Sequence, residues 1–86
     1  MKNIEVGSKI YFHVEGHDGS LFVVDGEETP PPALTDDMDE PNVVQIITGT
    51  WEPKHFRGIG LVMSNGELDL MRPELQFAKE EWSIGV

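Results

Sequence analysis

The chain has no cysteine, a single tyrosine, and only six lysines and arginines against sixteen aspartates and glutamates in 86 residues. Without cysteine there is no disulfide framework and no thiolate metal site, which suits a reducing compartment. The formal net charge of −10 removes the Lys/Arg surface that phosphate neutralisation needs. Direct binding to DNA, RNA or an anionic membrane is therefore not expected, and a basic protein partner is. No apolar run approaches the roughly 18 residues of a membrane span. The first residues, MKNIEVGSKIYF, lack the apolar stretch of a secretory signal, so the expected location is the cytoplasm. There is no Gly-rich phosphate loop, no G-x-S-x-G and no H-E-x-x-H. No enzymatic activity, catalytic residue or cofactor is expected.

What is present is a proline-broken acidic stretch. From Asp25 to Pro41 the sequence reads DGEETPPPALTDDMDEP, which holds seven of the sixteen acids and no base. The remainder sets nine acids against six bases and is nearly balanced. Pro30, Pro31 and Pro32 predict a short, stiff polyproline II element without backbone donors. Pro41 disfavours a helical Glu40. The stretch reads as an acidic, Pro-containing loop at 25–42 inside a single domain, 1–86.

On either side lie strand patterns. Lys9–Val14, Leu21–Val24, Val43–Thr48, Gly60–Met63 and Glu67–Met71 are rich in apolar and β-branched residues and bounded by Gly, Asp or Pro. A four-residue loop at Gly16–Gly19 would pair Val14 with Leu21 and Phe12 with Val23, collecting Ile10, Phe12 and Val14 on one face with Leu21 and Val23. Asn65-Gly66 predicts a two-residue type I′ hairpin pairing Met63 with Leu68 and Leu61 with Leu70. Val43–Thr48 is the candidate central strand. Pro73 suits a short helical turn, and Trp82, Ile84 and Val86 alternate as in a strand that would complete the sheet. The expected fold is all-β: a small antiparallel barrel or curled sheet of about five to six short strands, with at most one helical turn. The run from Phe56 to Ala78, with Gly58-x-Gly60, a tight hairpin and a Pro-led turn, resembles the second half of SH3-like small barrels, which implies fold and not function.

Several groups are candidates for function. Asp36, Asp37, Asp39 and Glu40 can steer and engage a basic partner, while Met38 or Trp51 supplies the apolar anchor that interfaces need. Spaced carboxylates can also resemble a phosphate backbone, which makes a nucleic-acid-mimicking inhibitor of the kind a phage or other mobile element encodes one form of this reading. The same acids can be merely solvated chain. They lack the ligand positions and central glycine of a calcium loop, and no metal site is expected at His13, His17 and His55 either. Lys54 and Arg57 are candidates to pair with the acidic stretch inside the chain. The leading expectation is a non-enzymatic binding protein that inhibits or regulates a basic, nucleic-acid-handling protein. The alternatives are an assembly subunit that self-associates through edge strands, and a small-ligand or glycan-binding barrel using Trp51 and Trp82.

Overall fold

The computed structural model describes residues 4–17, 19–31, 42–71 and 75–85. Through them run seven strands and no helix: β1 (Lys9–Phe12), β2 (Leu21–Glu28), β3 (Val43–Glu52), β4 (Phe56–Met63), β5 (Leu68–Asp69), β6 (Gln76–Phe77) and β7 (Trp82–Gly85). All pairings are antiparallel, in the order β6-β5-β4-β3-β2-β1-β7. The chain meanders from β1 to β6, and β7 returns to pair with β1. The sheet curls into a nearly closed small barrel. Two of the strands, β5 and β6, are only two residues long; β5 lies within the expected strand Glu67–Met71, whereas β6 is too short for alternation to reveal and is the strand that the sequence does not suggest. The gap between β6 and β7 is spanned by side chains. The Trp82 indole Nε1 donates to the Gly66 carbonyl at 2.9 Å, and the Phe12 and Phe77 rings meet with centroids 4.5 Å apart.

β3 forms because its ten residues, VVQIITGTWE, are mostly β-branched and alternate in environment. Val43, Gln45, Ile47, Gly49 and Trp51 face the interior. There Ile47 and Trp51 join Ile10, Phe12, Phe22, Val24, Val62 and Leu68 in one cluster. Full burial of each such side chain stabilises by about 1.5–3 kcal/mol. Gln45 is the one buried polar side chain among the described residues, and its amide is fully used. It accepts from the Ile4 N–H at 2.8 Å and donates to the Ile4 carbonyl at 2.7 Å. The N-terminal segment is thereby held as an extra strand would hold it. A second donor contact reaches Glu27 Oε2 at 3.2 Å.

Three expectations are corrected. In the β1–β2 hairpin, Ile10 pairs with Phe22 and Tyr11 with Leu21, so Phe22 and Val24, not Leu21 and Val23, are buried with Ile10 and Phe12. The LFVV stretch is apolar on both faces and leaves register underdetermined; the larger Phe22 goes inside. The connection folds as successive turns, His17 N–H to Val14 O at 3.0 Å and Ser20 N–H to His17 O at 3.1 Å. It lays the His17 ring edge-on against Trp51 and Phe77.

At the second hairpin Val62 pairs with Leu68 and Leu61 with Asp69, one residue from the expected register. Gly66 N–H bonds Met63 O and Met63 N–H bonds Glu67 O, both at 2.9 Å. The loop therefore has three residues, with Gly66 at φ 91°: a turn closed by a left-handed glycine bulge. Asn65 Oδ1 accepts from the Glu67 N–H at 3.0 Å and favours this loop over the two-residue turn. A Cβ on Gly66 would also press into Lys79 at 2.6 Å.

Finally, the acidic stretch is not loop from its first residue. β2 continues through Asp25, Gly26, Glu27 and Glu28, and Pro30 is buried.

Gly49 is where β2 and β3 come closest. A Cβ there would overlap the Val23 carbonyl oxygen and stand 2.8 Å from the Phe22 ring. Backbone cannot yield as a side chain can, so Gly49→Ala is expected to destabilise by about 3 kcal/mol, the upper end for overpacking. Urea denaturation measures it. A change within about 0.5 kcal/mol, the range of a neutral surface substitution, would contradict the close approach.

Candidate functional site

The outer face of β2, β3 and β4 is built by the irregularity next to Gly49. Val24 pairs with Gly49, and the next residue to pair is Gly26, with Thr48; Asp25 is the extra residue of a β-bulge. Strict alternation after Val24 would send Glu28 inward. The bulge instead turns Gly26 and Glu28 outward and Glu27 toward Gln45 at the barrel rim.

Cross-strand partners on the outside then stand in rows. Val23, Thr50 and Arg57 form the first; Gly26, Thr48 and Ile59 the second; Glu28, Ile46 and Leu61 the third, with Asp69 beside Leu61. Ile59 is 50% exposed and Val44, at the start of β3, 40%. Ile46, Leu61 and Met63 are half-buried. The result is an apolar stripe along β3 and β4 bordered by Asp25, Glu28 and Asp69.

One cation already sits on this face. Arg57 holds Asp25 through both terminal nitrogens, Nη1 to Oδ2 and Nη2 to Oδ1, the latter at 3.2 Å. Arg57 Nη1 also reaches Thr50 Oγ1 at 3.4 Å, and the Thr48 hydroxyl donates to Asp25 Oδ1 at 3.1 Å. The Arg57 hydrogen bond holds the Asp25 carboxyl below its ordinary value. Desolvation opposes this and the Thr48 hydroxyl reinforces it. Reciprocally, Asp25 raises the already high value of Arg57. Arg57 thus pairs with the first acid of the stretch from Asp25 to Pro41.

The other sequence candidates fall elsewhere. Asp36, Asp37, Met38, Asp39 and Glu40 lie outside the described residues. Trp51 is 5% exposed, packed 4.9 Å from Phe12 between ring centroids. It is core and not an exposed anchor, because its position in β3 is an inward one. Trp82 is partly buried against the same core, with its N–H engaged by Gly66. The cavity beside Trp51, lined by Phe22, Phe56, Arg57, Gly58, Leu70 and Leu75, holds only about 20 Å³. That admits a water molecule and not a sugar ring.

The histidines are also dispersed. His13 Nε2 bonds Ser83 Oγ at 2.6 Å, His17 packs on Trp51 and Phe77, and His55 Nδ1 contacts Glu52 Oε1 at 2.8 Å. No group of three potential metal ligands lies among the described residues. Sequence reasoning missed Ile59 and Glu28. The alternation Arg57, Ile59, Leu61 was available as a signal; the bulge that exposes Glu28 was not.

The Asp25–Arg57 pair carries a pH signature. A native carboxyl value below the unfolded one means that its stabilisation is complete above the unfolded value, near 3.8, and is lost as pH falls through the native value. Asp25→Asn removes this part of the acid limb. The stability difference between wild type and variant is expected to shrink as pH falls from about 5 to 2, as read from urea midpoints. Parallel curves would count against the pair. Both side chains are well exposed, so the effect is small and weakens with salt.

Comparison of the chain with protein-family models, with curated proteins and with solved structures finds no match, and the likeness of 56–78 to SH3-like barrels gains no support from that quarter.

Proposed function

We propose that the protein is a non-enzymatic binding protein that docks on a basic protein partner through the outer face of β2, β3 and β4 and regulates it by covering its basic surface. The observation that carries this reading is the apolar stripe of Val44, Ile46, Ile59 and Leu61 with carboxylates along its border. Contiguous exposed apolar surface rimmed by polar groups marks interaction sites. An apolar centre supplies the affinity, while rim charges govern encounter rate and partner choice.

The net charge of −10 selects a basic partner and accelerates its approach at low salt. Asp36, Asp37, Asp39 and Glu40 stand in the connection from β2 to β3 and add to that field, with Met38 among them. A partner that handles nucleic acid would present a basic surface of this kind. Self-association through edge strands has less to recommend it, since the edges β6 and β7 are only two and four residues long, and short edges discourage pairing.

The test is capture from cell extract over a salt series, identification of the captured protein, and its affinity for Ile59→Asp. A basic protein is expected, bound less tightly as salt rises. Ile59→Asp, on an exposed position that leaves the fold intact by far-UV circular dichroism, is expected to weaken it at least about 10-fold, the factor that 1.4 kcal/mol represents. No basic protein captured, or undiminished affinity with Ile59→Asp, would overturn the reading.

A further inference from the structure

Beside the apolar stripe, the β2 bulge opens a groove of about 240 Å³ lined by Gly26, Glu27, Glu28, Ile46 and Thr48. It exists because the outward position opposite Thr48 carries no side chain, Gly26 being the residue there. A Cβ at Gly26 would stand against the Thr48 hydroxyl. On this base stand an aliphatic side chain, Ile46, a hydroxyl, Thr48, and the Glu28 carboxylate, paired across the strands with Ile46.

We infer that this groove receives an arginine side chain of the basic partner, an assignment that rests on the docking reading above. Three observations carry it. The lining matches the two halves of a long cationic side chain: aliphatic surface for the stem and a carboxylate for the head. Among the described residues no side-chain hydrogen bond or ion pair engages the Glu28 carboxylate, whereas the neighbouring Asp25 carboxylate is satisfied by Arg57 and Thr48. The same face also shows how it treats a guanidinium. The Arg57 guanidinium is held by the Asp25 carboxylate and the Thr50 hydroxyl.

Glu28 and Thr48, both lining the groove, offer a second carboxylate and threonine oxygen one row further along β3. Arginine is favoured over lysine because its planar fork meets a carboxylate through two bonds and its weaker hydration tolerates contact with Ile46. Seated there, the side chain brings its parent backbone beside Ile46 and the apolar stripe, so one arginine and an adjoining apolar residue form the smallest element that the face recognises.

The experiment is a two-dimensional amide NMR titration of the whole chain at low salt with N-acetyl-arginine methylamide. N-acetyl-lysine methylamide and the uncharged N-acetyl-citrulline methylamide serve as comparisons. The arginine probe is expected to shift the amides of Gly26, Glu28, Ile46 and Thr48 saturably, the lysine probe more weakly and the citrulline probe not at all. Glu28→Gln, exposed and therefore tolerated by the fold, is expected to weaken the response about 5-fold, the upper end for one exposed charge pair.

An equal response to citrulline, a response confined to residues 36–40, or no effect of Glu28→Gln would overturn the groove assignment. An equal response to lysine would overturn the preference for a guanidinium. If these amides stay silent while Ile59→Asp still abolishes capture of a basic partner, the groove assignment falls and the docking face stands. The reverse pattern, groove amides that respond while Ile59→Asp leaves capture undiminished, sinks the docking face and with it the partner's arginine as occupant, and leaves only a groove that binds the free arginine probe.

Discussion

At the β2 bulge one extra residue, Asp25, stands against the Thr48–Gly49 stretch of β3, and both sides of the barrel take their character from it. Before the bulge, Phe22 and Val24 face in. Gly49 provides the room, letting the Val23 carbonyl and the Phe22 ring close onto β3. After it the facing is reversed. Glu27 turns to the rim, where the Gln45 amide meets it, and Glu28 turns out beside Ile46. An uninterrupted strand would have directed Glu28 at the interior, where an unpaired carboxylate is strongly disfavoured. The bulge lets the strand pass from apolar core into acidic surface while the β2–β3 ladder continues, and it leaves Asp25 placed for Arg57.

The interior is committed to packing. Trp51, Phe12, Phe77 and the half-buried His17 stack at one end. Elsewhere the Gln45 amide secures Ile4, and the described buried side-chain nitrogens and oxygens all have partners. The cavity beside Trp51 holds only about 20 Å³. On the outer face Ile59 is exposed where β4 pairs with β3, and Val44 is exposed at a register irregularity between Val43 and Gln45. The charge balance adds direction. On the proposed docking reading, carboxylates around an apolar stripe disfavour acidic proteins and nucleic acid and favour a basic surface whose own apolar residue can cover Ile59.

Much of this was legible in the sequence. The all-β class, the central position of the strand at Val43–Thr48, the acidic segment and the return of Trp82–Gly85 to the sheet all follow from composition and alternation. Register did not follow, for a physical reason. LFVV and GLVM are apolar at successive positions, so either face satisfies the pattern, and the decision falls to the volume of Phe22 and to the Asn65 side chain bonding Glu67. A register one residue off exchanges Val62 for Leu61. The candidate site shifted for the same reason. Trp51 was a candidate apolar anchor, but β3 runs through Glu52 and its alternation carries Trp51 inside. Asp25 was grouped with a loop although it lies in a strand, since a bulge leaves no trace in hydrophobic periodicity.

The central claim is that the outer face of β2, β3 and β4 is where a basic partner sits. Methyl cross-saturation in the complex with the captured partner tests it most directly, with the Ile, Leu, Val and Met methyls of this chain as observers. The account predicts saturation transfer at Ile46, Ile59 and Leu61, with Val6 and Ile84 unaffected although they are comparably exposed. Transfer to Val6 or Ile84 with none at Ile59 would place the partner on another surface and contradict it.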